Sequence, residues 1–243
     1  MARPLPLIPA GCPPLPDEAP EPRAVARQLL AWFAENRRVF TWRVSRDPFY
    51  VLLAEILLRK TGAWAVEQHL PRILAAYPDA YALAGAEEPG IIEVLSPLGL
   101  LRQRARQLQE LGRTLVQQFD GQVPQEVEAL ARLPGVGGYT AGIVASTCFG
   151  AHVPAVDANV ARLLCRVFDL IPSHFEARKS TNVWRLAAML MQCTQEAGVN
   201  LTWAELDLAA LVCTARKPDH AGCPLQTACL LVKRRAVVDS PGV

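Results

Sequence analysis

The chain has 243 residues, 51% of them hydrophobic and 20% charged, a balance that describes a folded globular protein and excludes a disordered one. Its 25 basic and 23 acidic residues leave a net charge of +2, so overall charge names no nucleic-acid partner and any such binding must come from local patches. No apolar run approaches membrane-spanning length, and seven cysteines without a secretion signal turn attention from disulfides to metal ligation.

Residues 1–22, "MARPLPLIPAGCPPLPDEAPEP", hold eight prolines and read as a disordered or polyproline-type tail. The prolines also break the continuous helix that a signal peptide needs, so an intracellular protein with no membrane partner is expected. From Arg23 onward apolar residues recur at three- and four-residue steps. The pattern predicts helices in "RAVARQLLAWFAENRR", "PFYVLLAEILLRK", "AVEQHLPRILAAY", "LLRQRARQLQELGRTLVQQF", "AGIVASTCFG", "NVARLLCRVF", "VWRLAAMLMQC" and "AELDLAALVC". Short stretches such as "YPDA", "EEPG" and "FDGQVP" read as loops, and no alternating run predicts a strand. The expected fold class is all-α.

Within "FYVLLAEILL" the one carboxylate, Glu55, either pairs with Arg59 one turn on or points into a pocket. In "LPGVGGYTAG", Pro134 stops a short helix, Gly135 and Gly137 permit positive φ, and Gly138 with Tyr139 begins the next helix. That places backbone N–H groups at a helix N-terminus, which suits an anionic oxygen; a tight ligand-free turn is the plainer reading. Asp157, eighteen residues after Tyr139, precedes "ANVARLLCRVF" and is expected to cap that helix. A carboxylate beside a helix N-terminus is favoured in its charged form. Near the C-terminus, "CTARKPDHAGCPLQTAC" places Cys213, His220, Cys223 and Cys229 at spacings x6, x2 and x5. Spacing alone makes a structural Cys3His zinc site the default. Cys148, Cys165 and Cys193 fall in apolar helical patterns and read as core, while Cys12 lies in the tail.

Several of these motifs, in order and at matching separations, resemble the helix-hairpin-helix DNA glycosylases, the superfamily of endonuclease III, the adenine glycosylases and the thymine-DNA mismatch glycosylases. The likeness runs from about Leu29 to Cys229 through "FTWRVSRDPFYVLLAEILLRKT", "LGLLRQRARQL", "LPGVGGYTAG", "VDANVARLLCRVF" and "CTARKPDHAGCPLQTAC". It implies a two-lobed, all-α fold. A six-helix barrel domain with the hairpin spans 46–151, an iron-sulfur lobe is assembled from 23–45 and 152–235, and 236–243 form a second tail.

The resemblance also implies roles. Asp157 becomes the catalytic aspartate that opposes positive charge at the deoxyribose C1′ as the base departs. Tyr139 stands where strand-cutting relatives carry a lysine, so no Schiff base forms and water is the nucleophile. Glu55 faces the flipped base, and partial burial favours it as a proton or hydrogen-bond donor. Gly135, Gly137 and Gly138 hold a DNA phosphate, Arg216 and Lys217 contact the backbone, Arg59 binds DNA, and Lys60 and the Leu100–Leu101 loop probe the duplex or fill the vacated space. The family carries a [4Fe-4S] cluster on four cysteines; here His220 stands in place of the second, with His220 or Asp219 as the fourth ligand. The implied enzyme is a nucleoid-associated cytoplasmic monomer acting on double-stranded DNA with a mismatched or damaged base.

"AEILLRKT" and the length of "LGLLRQRARQL" look more like the thymine-mismatch branch than the adenine branch, which typically reads Gln-Gln-Thr at 59–61. Only fourteen residues follow Cys229, where the adenine branch carries a domain that reads 8-oxoguanine. The expected activity is removal of thymine or uracil opposite guanine without strand cleavage. The alternatives are an adenine glycosylase and a helix-hairpin-helix DNA-binding protein without chemistry.

Overall fold

The computed structural model describes residues 11, 13–170, 177–194 and 198–238, and among them it contains helices and no strand. Of the two expected tails, residues 1–10, Cys12 and residues 239–243 lie outside the described residues. No helix among those described is long and apolar enough to cross a membrane.

The first long helix is α1 (Pro22–Asn36), with Glu21 accepting hydrogen bonds from the N–H groups of Arg23 and Ala24. Residues 39–149 then build one compact unit, and the chain returns to the neighbourhood of α1 only from Gly150 onward, so the second unit is discontinuous in sequence.

The first unit holds α2 (Thr41–Val44), α3 (Pro48–Leu57), α4 (Ala63–Ala76), α5 (Ala80–Gly85), α6 (Glu88–Leu95), a 3₁₀ turn (Ser96–Leu98), α7 (Leu101–Phe119), α8 (Val127–Arg132) and α9 (Gly138–Phe149). Its centre is α3, buried along seven apolar positions between Phe49 and Leu57 and packed on α4 and α9. Asp47 starts α3 by accepting the N–H groups of Phe49 (2.9 Å) and Tyr50 (3.3 Å), and Pro48 occupies the first turn, where a missing N–H costs nothing. The long α7 lies close along α5. A Cβ at Gly112 would come within 2.6 Å of the Ala84 backbone nitrogen, so glycine sets that approach.

"EEPG", expected as loop, is instead the entry to α6: Glu88, Pro89 and Gly90 form its first turn. Proline at the start of a helix favours helix rather than ending it, and the eight-residue element is too short to announce itself by periodicity.

The second unit combines α1 with α10 (Ala158–Phe168), α11 (Thr181–Gln192), α12 (Val199–Leu211) and α13 (Leu230–Val238). Buried on nearly every side, α12 packs against α1 and α10. Asp207, fully buried on α12, accepts the Arg38 backbone N–H (2.8 Å) and Nε (2.7 Å), fastening the end of the α1 segment to it. A buried ion pair of this kind is costly to break one-sidedly, about 3–5 kcal/mol.

Candidate active site and cysteine cluster

In the first unit Glu55 sits on α3 at 2% exposure among Leu52, Leu53 and Ile56. Just beyond α3, Lys60 adopts φ +57°, and Leu100, ahead of α7, adopts φ +54°. Both are non-glycine residues in the left-handed region, at a cost of about 1–2 kcal/mol each. One side chain fixes both bends. Arg104, 3% exposed on α7, donates through Nη1 to the carbonyls of Leu98 (2.7 Å) and Gly99 (3.1 Å). Through Nη2 it donates to the carbonyls of Leu57 (3.3 Å) and Arg59 (2.5 Å) and to Thr61 Oγ1 (2.6 Å).

Between the bends lies an open groove of about 400 Å³ lined by Ile56, Arg59, Lys60, Leu100, Gln103, Arg104 and Gln107. Lys60 and Leu100 are exposed at its rim. Leu101, expected beside Leu100 as a probe, is the half-buried first residue of α7. Arg59 Nη1 reaches the Gly135 carbonyl (3.3 Å) and Gln107 Oε1 (3.5 Å), tying this groove to the hairpin.

At the hairpin α8 stops at Arg132 and Gly135 turns the chain with φ +76°. Gly137, where the sequence permits positive φ, does not use it, and nothing lies within 4 Å of where its Cβ would stand. The fold therefore makes no demand for glycine at 137, and the space beside this exposed backbone stays open to a ligand. Gly138 opens α9, whose N-terminal end carries partial positive charge, and Tyr139 follows, half-buried.

In the second unit Asp157 is the N-cap of α10, as expected. Its Oδ1 accepts the N–H groups of Asn159 (2.7 Å) and Val160 (2.8 Å), and its Oδ2 accepts Asn159 Nδ2 (2.7 Å). Asn159 Oδ1 accepts Arg162 Nη1 (3.0 Å), and Arg162, buried, donates onward to the carbonyls of Ala209 (2.8 Å) and Cys213 (3.1 Å). A half-exposed carboxylate is thus locked in place by three donors and a backing network. Close by on α12, Glu205 is 3% exposed, and burial first, then the charge of Asp157, pushes its carboxyl up to about 8.

The three cysteines of the C-terminal motif sense one another. Burial first, with a smaller contribution from Cys213 and Cys229, pushes the Cys223 thiol up to about 11, and Cys229 is raised in the same way. Donors already point at the sulfurs: Arg166 Nη1 at Cys213 Sγ (3.3 Å), the Leu225 N–H at Cys223, and the N–H groups of Leu231 and Val232 at Cys229. Arg166 also holds the carbonyls of Thr214 (2.7 Å) and Ala215 (3.0 Å), so the loop presenting exposed Arg216 and Lys217 is anchored from beneath.

His220 turns elsewhere, its Nε2 lying 3.3 Å from Arg235 Nη1. Asp219 spends Oδ1 on the Gly222 N–H (3.0 Å). As these side chains stand, no group of three or more His, Cys, Asp or Glu that could hold a metal ion occurs among the described residues. Cys148 and Cys193 are half-buried and Cys165 is buried, away from the motif's sulfurs in sequence and free of disulfides.

Sequence reasoning missed Arg104, Asn159 and Glu205. Arg104 left a trace, since it shares the apolar stripe of α7 with Leu101, Ala105, Leu108 and Leu111, an odd place for a surface charge.

Comparison with known proteins places this arrangement. Residues 53–186 match the model of the HhH-GPD superfamily of base excision DNA repair proteins. A thymine-DNA glycosylase of Aeropyrum pernix is 34% identical over 208 residues, covering 85% of this chain and 93% of the relative. Among solved structures, a thermostable thymine-DNA glycosylase superposes with a TM-score of 0.81 at 29% identity, over 88% of this chain and 97% of that one. A non-covalent endonuclease III–DNA complex gives 0.70 at 25% identity, over 88% and 96%.

Proposed function

The chain belongs to the HhH-GPD superfamily of base excision DNA repair proteins, and from that premise we propose that it is a monofunctional DNA glycosylase that releases thymine or uracil opposite guanine from double-stranded DNA. The base preference is supported by the thymine-DNA glycosylases it resembles along nearly their whole length, and DNA as the partner by the endonuclease III complex. The observation that carries the chemistry is Asp157, a carboxylate held in one orientation by three donors.

In this reading the target nucleotide is flipped out of the stack. The C1′–N bond breaks with its electron pair leaving on the base, which takes a proton or hydrogen bond from Glu55. Asp157 opposes the positive charge that grows on the sugar, and a water oxygen bonds C1′ and sheds its proton to solvent. Gly137 and Gly138 receive a backbone phosphate at the N-terminus of α9, while Lys60 and Leu100 probe the duplex from the rim of the groove.

Tyr139 offers no amine. The enzyme is therefore expected to leave an intact abasic site: strand breaks appear after alkali treatment and not before, and borohydride traps no protein–DNA adduct. A trapped adduct contradicts the monofunctional assignment, and Tyr139→Lys is expected to gain weak trapping.

The cysteine motif fits a [4Fe-4S] cluster in its donor chemistry: three thiols, each already facing an N–H donor of the kind that stabilises anionic sulfur. Cys213, Cys223 and Cys229 would hold it, with His220 as the fourth ligand once its imidazole leaves Arg235. Such a group supplies a rigid tie for the loop bearing Arg216 and Lys217. Protein purified without oxygen is expected to be brown, with iron and sulfide in stoichiometric amounts. Stoichiometric zinc without iron restores the Cys3His zinc site, and absence of both metals removes the cluster.

A further inference from the structure

Glu205 has no part in the mechanism above, yet it is an ionisable group placed beside the residue that carries it. It lies on α12, which packs on α10, the helix that Asp157 caps, and it is near enough to Asp157 to feel that charge. Its side chain is 3% exposed, and among the described residues its Oε1 meets no hydrogen-bond donor. The charged groups of α10 and its cap are Asp157, Arg162 and Arg166; Arg162 is committed to Asn159 and to the carbonyls of Ala209 and Cys213, and Arg166 to those of Thr214 and Ala215. From the α1 side Arg38 is engaged by Asp207, and the buried positions of α1 itself are apolar. Among the described residues no cation offsets a charge on Glu205, while Asp157 opposes one.

A carboxylate without a cation or donors does not stay ionised in such a place; it keeps its proton or drags in water and moves. We propose that Glu205 is a positioning residue for base excision: as a neutral acid it leaves Asp157 the single negative charge at the N-terminus of α10, and its ionisation disables excision by displacing that cap. This rests on the reading of Asp157 as the catalytic carboxylate. The Glu205 proton gives the enzyme an alkaline limit that the Asp157 chemistry alone does not impose.

Two pH windows separate this role from a purely structural one. The folded protein holds the Glu205 proton that the unfolded chain gives up near the ordinary carboxyl value of 4.5, and it releases that proton only near 8. Stability is thus lost as pH rises between those values and levels off above them, whereas the ionised folded form, and with it the loss of activity, accumulates only above about 8.

The test compares wild type, Glu205→Gln and Glu205→Leu from pH 5 to 9.5. Thermal unfolding is followed alongside single-turnover excision from a G·T duplex with enzyme in excess. In wild type the excision rate is expected to fall about tenfold per pH unit above about pH 8, and neither variant shows that fall. Wild type should also lose stability relative to Glu205→Gln between pH 5 and 8 and no further beyond. Superimposable alkaline limbs in wild type and Glu205→Gln overturn the proposal, as does faster wild-type excision above pH 8. If wild type excises nothing at any pH, the glycosylase reading fails separately. Glu205 is then judged on stability alone, with coincident profiles overturning its buried proton and divergence between pH 5 and 8 sustaining it.

Discussion

Asp157→Asn is expected to slow thymine excision from a G·T duplex about 10²–10³-fold in single turnover, a loss of roughly 3–4 kcal/mol of transition-state stabilisation. It is expected to do so without unfolding the protein. Asparagine keeps the oxygen that accepts the N–H groups of Asn159 and Val160, so the cap of α10 survives. Only the second bond is reversed: an amide nitrogen would replace Oδ2 opposite Asn159 Nδ2, and two donors cannot pair. Loss of that half-exposed hydrogen bond costs about 1 kcal/mol. Gel-shift binding to the same duplex should persist while product formation fails. Wild-type rates in this variant would remove Asp157 from the mechanism.

Arg104→Met is expected to have the largest effect on stability. The stem of the side chain is replaced at similar bulk, but five donations vanish together and the buried carbonyls of Leu57 and Leu98 lose a partner. At about 1–3 kcal/mol for each buried group left unsatisfied, a total near 3 kcal/mol follows. In a chain of this size that lowers the unfolding midpoint by roughly 10 °C. Because Arg104 holds the backbone on both sides of Lys60 and Leu100, those residues relax from their left-handed conformations, and excision should fall more than about tenfold. The neighbour Arg106, exposed and paired with Glu88 at 3.2 Å, supplies the comparison. Arg106→Met should cost less than about 1 kcal/mol. Equal effects from the two substitutions would show that Arg104 is not a clamp.

The long helices are legible in the sequence because each carries several turns of apolar periodicity, as α7 does over nineteen residues. Helices of four to eight residues, such as α2, α5, α6 and α8, repeat too little to announce themselves, and "EEPG" reads as loop although proline there starts α6. Asp157 stands out because an aspartate before an apolar run is a helix start whatever else it does.

Arg104 does not stand out, because arginine on an amphipathic helix reads as surface. Only its phase among Leu101, Ala105, Leu108 and Leu111 betrays burial. Glu205 is harder still. Its helix is buried around almost all of its circumference, so no polar stripe exists from which one carboxylate could be seen to deviate. The pairing of Glu205 with Asp157 joins residues 48 apart in the chain, and only the packing of α12 on α10 reveals it. The hairpin turn is half legible, since Gly135 needs its positive φ while Gly137 answers to open space.

Chromatography of the free base released from defined duplexes under single turnover tests the glycosylase reading most directly. With G·T and G·U duplexes the expected products are free thymine and free uracil, each accompanied by an alkali-labile, uncut strand, and A·T duplexes should yield neither. Release of adenine from A·G or A·8-oxoguanine duplexes with none of thymine or uracil, or no free base from any duplex that the protein binds, would contradict it.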